Sequence, residues 1–273
     1  MKNTHQVYLI SDSTGETLDR IFMALKAQFN NFNYDLSQFS FTRTENQIST
    51  ILNNAKKQES PIILYTVVNS KLAKYLAEEA NRRKIPCFGV LGDLILNFSK
   101  ILNQKATHQP SAQHVLDEDY YKRIEAIQFT MNHDDGNNTD NILESDIILV
   151  GVSRTSKTPT SIYLANKGLK TSNIPLVNEM SIPEDVINSK KLCIIGLTTE
   201  AERLFDIRRN RLSSIKENEA SDYTNLDKIR TEVNQSKKIF KKNNWPIIDV
   251  TRKSVEETAA SIIKIYEIQN KNA

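Results

Sequence analysis

Residues 146–160 read DIILVGVSRTSKTPT, and the fold follows from how this stretch is read. Residues 147–150 are a continuous apolar run, the pattern of a strand covered on both faces. Gly151 opens a short hydroxyl-rich loop that ends at Lys157 and Thr158, just ahead of a helical pattern. Strand, loop, lysine, hydroxyl and helix in that order form the layout of a phosphate-binding loop. In it, backbone N–H groups surround the phosphates, the lysine supplies a point charge, and the hydroxyl binds Mg²⁺.

GVSRTSKT, residues 151–158, meets the pattern GxxxxGK[ST] at every position but one: Ser156 stands where the second glycine belongs. Glycine lets backbone approach a phosphate with no Cβ in the way, and serine offers a hydroxyl donor instead. Pro159 biases Thr158 away from helical geometry and itself suits a first helical position. The expected helix therefore begins at Pro159 with Thr158 as its cap. The same letters also describe a strand and an ordinary capped helix. Arg154 favours the phosphate reading, because a second cation in so short a loop calls for an anion nearby. The candidate nucleotide-binding set is Gly151, Val152, Ser153, Arg154, Thr155, Ser156, Lys157 and Thr158.

Upstream, residues 6–105 alternate apolar strand runs (7–10, 39–42, 62–68, 87–91) with helical patterns (18–29, 48–55, 72–80). Runs without strict alternation imply a parallel sheet in an α/β lobe. SDSTGET, residues 11–17, follows the first strand, where open α/β sheets bind ligands. It offers Asp12 among hydroxyls, although Ser13 or Thr14 capping a helix explains the same residues. The apolar rhythm fades before Pro110, so the expected division is an N-terminal lobe over 1–105, a linker over 106–116 and a C-terminal lobe over 117–273.

In the second lobe Asp117 is placed to cap a helix carrying Tyr121, Ile124, Ile127 and Met131, which should stop near His133. Asp134-Asp135-Gly136-Asn137-Asn138 is turn chemistry. Its paired carboxylates could hold Mg²⁺ or act as a general base, or simply be solvated. Strands are expected at 174–177, 192–197 and 247–250. In TEAERLFDIRRNRLSSI, residues 199–215, a helical wheel puts Leu204, Ile207, Leu212 and Ile215 on the buried side with Arg208 and Arg211 in the same arc. An inward cation needs an anion. A carboxylate would serve, but a phosphate is the expected partner. Ser254-Val255-Glu256-Glu257 reads as a capping box for a last helix.

The 273 residues suit one large or two modest domains, and 39% hydrophobic content supplies the cores. With 36 Lys and Arg against 33 Asp and Glu, net +3 gives no reason to invoke nucleic acid or membrane. Cys87 and Cys193 lie in separate apolar runs and read as buried thiols of a reducing compartment. The first residues lack a signal-peptide pattern, and no apolar run approaches a membrane span of about 20 residues, so a cytoplasmic protein is expected.

Five segments in order, SDSTGET, YYKRIEAIQFTMNHDDG, GVSRTSKTPTSIYLANKG, ERLFDIRRNRL after IGLT, and WPIIDVTRKSVEETAA, resemble the pyruvate, phosphate dikinase regulatory protein family. The resemblance runs from about residue 7 to 263. It implies an N-terminal α/β lobe and a C-terminal P-loop-kinase-like α/β lobe in a bifunctional enzyme. Such an enzyme uses ADP to phosphorylate an active-site threonine of the dikinase. It restores the dikinase by attack of inorganic phosphate on the phosphothreonine, releasing pyrophosphate. A sister group acts on phosphoenolpyruvate synthase.

The implied roles are the diphosphate on residues 151–158, bridging charge on Lys157 and Mg²⁺ on Thr158. Arg154, Arg208 and Arg211 would meet the transferring group, and Asp134 or Asp135 would take the proton, with Asp12 as the alternative. Competing readings are a small-metabolite kinase and a non-catalytic ADP sensor. A homodimer is the assembly considered, with no residue assigned to it.

Overall fold

The computed structural model describes residues 4–113, 116–136, 141–177, 182–189, 191–215 and 222–271. Asn137 and Asn138 of the expected turn lie outside them. The chain divides into two compact units, Met1–Val115 and Leu116–Ala273.

The first unit runs β1 (His5–Ser11), α1 (Glu16–Lys26), β2 (Tyr34–Phe39), α2 (Glu45–Ala55), β3 (Pro61–Thr66), α3 (Ser70–Arg82), β4 (Cys87–Gly89) and α4 (Gly92–Leu102). Its sheet has the order β2-β1-β3-β4, and every pairing is parallel. β1 is central because its VYLI core faces both ways. Tyr8 and Ile10 pack with Ile48, Leu52 and Leu76 of α2 and α3, while Val7 and Leu9 pack with Leu18 and Phe22 of α1. The second strand lies at Tyr34–Phe39, ahead of the expected 39–42, since YDLSQF forms an edge strand with largely open faces. α1 is not capped by Ser13 or Thr14 as the sequence suggested. Gly15 at φ +88° is its N-cap, a left-handed turn that costs glycine nothing and needs no side-chain cap.

The second unit runs α5 (Glu118–Asn132), a 3₁₀ turn (Ile142–Glu144), β5 (Ile147–Gly151), α6 (Lys157–Ala165), β6 (Thr171–Pro175), α7 (Glu184–Asn188), β7 (Cys193–Thr198) and α8 (Ala201–Ile215). A second 3₁₀ turn (Asp222–Thr224), α9 (Leu226–Lys242), β8 (Ile247–Asp249) and α10 (Val255–Lys271) complete it. The order β6-β5-β7-β8, again all parallel, repeats that of the first unit. Every residue of β5 is buried, as its unbroken apolar run requires. Ile148 and Val150 pack with Ile194 and Phe240, and Ile147 and Leu149 pack with Leu164, Ala259 and Ile262 on the opposite face. The capping box before α10 is formed: Glu257 N–H donates to Ser254 Oγ at 3.1 Å, and Ser254 N–H to Glu257 Oε2 at 2.9 Å.

From β5 the chain moves to β6 on one side and then returns past β5 to β7 on the other. That reversal leaves a crevice at the carboxyl ends of β5 and β7, where open α/β sheets receive ligands. The loop after β5 is GVSRTS.

Candidate functional site

Gly151 ends β5 because nothing larger fits. A Cβ there would stand 2.7 Å from the Leu197 carbonyl oxygen of the neighbouring strand and 2.7 Å from Thr155 Oγ1. Thr155, fully buried, donates to the Val152 carbonyl at 2.9 Å and tightens the turn. Arg154 at φ +74° and Ser156 at φ +59° adopt left-handed backbone on either side of it. Alternation of left- and right-handed residues turns successive N–H groups to one side and makes an anion-binding concavity. Ser156 thus takes the conformation that the pattern reserves for glycine, at a strain of roughly 1–2 kcal/mol.

α6 begins at Lys157 with Ser156 as N-cap, two residues earlier than expected. Pro159 sits third in the helix, where its missing N–H has no intrahelical acceptor to lose. This register turns Lys157 inward. It is 5% exposed, and its ammonium donates to the Val152 carbonyl at 3.3 Å. Burial pushes its pKa down to about 8; Asp135 and Asp134 oppose that shift, while Arg154 and Arg208 add to it.

The two carboxylates arrive from the end of α5 and take different positions. Asp134 Oδ1 accepts from Thr158 Oγ1 at 3.0 Å and from the Asn173 side-chain amide. Asn173, a buried polar residue in β6, also accepts the Asp135 N–H on its own Oδ1 at 3.0 Å. Its backbone pairs with Gly136 N–H and with the His133 carbonyl, which fixes the whole turn. His133 ends α5 as its C-cap, its Nδ1 against the Phe129 carbonyl at 2.7 Å. Asp135 lines a cavity of about 310 Å³ together with Ser153, Arg154, Ser156, Lys157 and Thr158. Asn173 has no role in the sequence reading, since it precedes the strand expected at 174–177; in the fold it is buried in β6 with Thr171 and Ser172.

Arg208 is, among the described residues, the largest fully buried side chain, and of the two anions weighed for it a carboxylate is in place, Glu232 Oε2 at 2.7 Å. The guanidinium also donates to the Ser153 carbonyl at 3.4 Å and to the Tyr223 carbonyl at 3.3 Å, and lies over the Tyr223 ring. It thus braces the loop from α8. Arg154 is tied to the same tyrosine, its Nε donating to the hydroxyl at 3.2 Å.

Arg211, expected in the buried arc, is exposed. The stripe that α8 buries runs through Ala201, Leu204, Arg208 and Leu212, so the arc is centred nearer Phe205 than Ile207 and Arg211 falls outside it. Asp12 lies in the first unit, at the end of β1. It is 1% exposed, and its Oδ2 accepts the N–H groups of Val68 and Asn69 at 2.8 and 3.2 Å. There it holds the turn before α3 and lines a cavity of about 230 Å³ with Ser11, Ser13, Thr17 and Thr66.

Among the described residues no group of three or more His, Cys, Asp or Glu could hold a metal. Cys87 and Cys193 are free thiols in β4 and β7, pushed up to about 12 by burial. No helix among the described residues is long and apolar enough to cross a membrane.

Fold and site together define a class: a two-unit α/β protein whose second unit presents a buried lysine, left-handed loop backbone and a facing carboxylate to one small polar cavity. The model of the kinase/pyrophosphorylase family matches residues 7–263. A protein of Pelagibacter ubique is 65% identical over 273 residues, covering all of both chains. Relatives from Sphingopyxis alaskensis (45% over 262 residues, 96% of each chain) and Chelativorans sp. (43% over 260 residues, 95% of each) follow. All three are named, provisionally, as pyruvate, phosphate dikinase regulatory proteins. The chain belongs to the kinase/pyrophosphorylase family, that of the pyruvate, phosphate dikinase regulatory proteins, and the chemistry this supports in general terms is that of a kinase and phosphorylase.

Proposed function

We propose that this chain phosphorylates a threonine of pyruvate, phosphate dikinase with ADP and removes the phosphate by phosphorolysis, both in the cavity at Lys157. Supporting this is the placement of Lys157, Arg154 and Asp135 around one cavity, with Asp134 turned away onto Thr158 and Asn173. The second unit then works as a P-loop-kinase-like lobe, in the cytoplasm.

In the forward direction the threonine oxygen attacks the β-phosphorus of ADP. A bond to that phosphorus forms, the bridging oxygen leaves with AMP, and the threonine proton passes to Asp135, the carboxylate open to the cavity. In reverse an oxygen of inorganic phosphate attacks the phosphothreonine, pyrophosphate forms, and Asp135 returns the proton to the departing threonine. Lys157 and Arg154 screen the two phosphorus groups in each direction, and the loop's N–H groups hold the diphosphate or the new pyrophosphate. Arg208 acts on the loop through the Ser153 carbonyl. Arg211 lies on the exposed side of α8.

Magnesium prefers oxygen ligands and shares its shell with substrate phosphates. The Thr158 hydroxyl and the Asp134 carboxylate, 3.0 Å apart, fit such a cation. When bound it would screen the diphosphate.

The test mixes the chain, ADP labelled in its β-phosphate and the phosphohistidine form of the dikinase, with phosphoenolpyruvate synthase as a parallel target. Label on a dikinase threonine supports the proposal, and label only on the synthase reassigns the target. Tight ADP binding without label on either leaves a nucleotide sensor and refutes the enzyme reading.

A further inference from the structure

The two arginines beside the phosphate loop are held in opposite ways. Arg208 is buried, and its charge is met by Glu232 Oε2 at 2.7 Å. Arg154 is exposed and lines the cavity of about 310 Å³, and among the described residues no carboxylate pairs with it. Its side-chain partner is neutral: Nε donates to the Tyr223 hydroxyl at 3.2 Å.

An exposed arginine samples many rotamers, and here a neighbouring cation would drive it outward. Arg154 stands close enough to Lys157 to disfavour the charged form of that lysine. A carboxylate would hold Arg154 in place only by cancelling the charge that an anion in the cavity needs. A phenol hydroxyl holds it and leaves the charge whole. Because the bond is taken through Nε, the edge formed by the two terminal nitrogens stays open, and that edge makes two-pronged pairings with phosphoryl oxygens.

Tyr223 is itself fixed by its neighbours. It lies in the 3₁₀ turn that enters α9, and Asn225 caps that helix, its Oδ1 accepting the N–H groups of Asp227 and Lys228 at 3.1 Å each. Along α9, Ile229 and Val233 pack with Val152 of the loop after β5 and with Ala201 and Leu204 of α8, so turn and loop are seated on one apolar cluster. The Arg208 guanidinium lies over the tyrosine ring, 4.6 Å from the centroid, and its Nη1 donates to the Tyr223 carbonyl at 3.3 Å. The paired arginine thus aims the tyrosine, and the tyrosine aims the unpaired one.

We propose that Tyr223 is the positioning residue for Arg154: its hydroxyl keeps the guanidinium turned into the cavity, where the open edge pairs with a phosphoryl group of the bound anion. The proposal rests on the reading of the Lys157 cavity as the diphosphate site.

Calorimetric titration of the full chain with inorganic pyrophosphate, in metal-free buffer, tests it on Tyr223→Phe, Arg154→Ala and the two combined. Tyr223→Phe keeps the ring and its contact with Arg208, so its chemical denaturation midpoint should match that of the wild type. Its affinity for pyrophosphate should fall about tenfold, the size expected of one charge-assisted hydrogen bond. Arg154→Ala should lose at least as much, and the double variant no more than Arg154→Ala alone, because the hydroxyl acts only through the guanidinium. Should the tyrosine variant be unstable, Arg154→Lys reads the same contact from its other side: it keeps the charge without the fork and should bind pyrophosphate about tenfold more weakly at a wild-type midpoint. Additive losses, unchanged affinity in Tyr223→Phe or Arg154→Lys, or a wild-type chain that does not bind pyrophosphate overturns the proposal. Coupled losses without transfer to the dikinase uphold it and refute the enzyme reading alone. Transfer with additive losses does the reverse.

Discussion

Binding of ADP should draw a proton onto Lys157, and the structure gives the size of the effect. Burial lowers this ammonium from its ordinary 10.5 to about 8. At about 1.4 kcal/mol per pH unit, charging it in the empty site costs on the order of 3 kcal/mol. The folded-state pKa is depressed, so the folded chain binds fewer protons than the unfolded one between pH 8 and 10.5. The cost is fully present below about pH 8 and is relieved as pH rises through that window, so the empty second unit gains stability there. A diphosphate beside the ammonium restores its charged form. At pH 8.5 the empty site holds a proton in roughly a quarter of molecules and the filled site in nearly all, an uptake of about 0.7 proton per ADP. Calorimetric titration in metal-free buffers of different ionisation enthalpy reads this directly, with Lys157→Met as control. Affinity should fall by up to about tenfold per pH unit above pH 8. No uptake at pH 8.5, or uptake that persists in Lys157→Met, would refute the placement of the diphosphate at this lysine.

Asp135→Asn should lower transfer in both directions by about 10²–10⁴-fold while changing ADP affinity little, read by labelled transfer and calorimetry; a normal rate removes Asp135 as the proton acceptor. Gly151→Ala places a methyl group against the immobile Leu197 carbonyl, so chemical denaturation should show a loss of about 1–3 kcal/mol, and an unchanged midpoint would mean that β5 and β7 part more easily than their packing implies. Arg208→Ala breaks the brace between α8 and the loop and should cost about 1–3 kcal/mol of stability along with activity; lost activity at an unchanged midpoint would instead put the guanidinium on the transferring phosphoryl group.

The strand, loop and helix around residues 147–165 were legible because their signal is local: an unbroken apolar strand, a glycine that abuts the next strand, and a lysine and hydroxyl at fixed spacing. The helix start was misplaced by two residues because Pro159 fits the third helical position as readily as the first. β2 was misplaced because an edge strand does not need the apolar run that marks a buried one. α4 was legible and was passed over: Leu94, Ile95, Phe98, Ile101 and Leu102 fall within about a third of a helical wheel, opposite Asp93, Asn97 and Lys100. The identity of the anion at Arg208 was out of reach, since Glu232 lies 24 residues away on α9 and a helical wheel knows only its own helix. Asn173 was missed for the same reason, its partners Asp134 and Asp135 being about 40 residues upstream and brought close only by the pairing of the turn with β6.

The central claim is that one cavity serves both chemical senses, and Lys157→Ala tests it most directly. ADP-dependent labelling of the dikinase threonine and phosphate-dependent release of pyrophosphate from the phosphorylated dikinase should fall together, each by on the order of 10²-fold or more. Loss of one direction with the other intact would contradict it and require two sites.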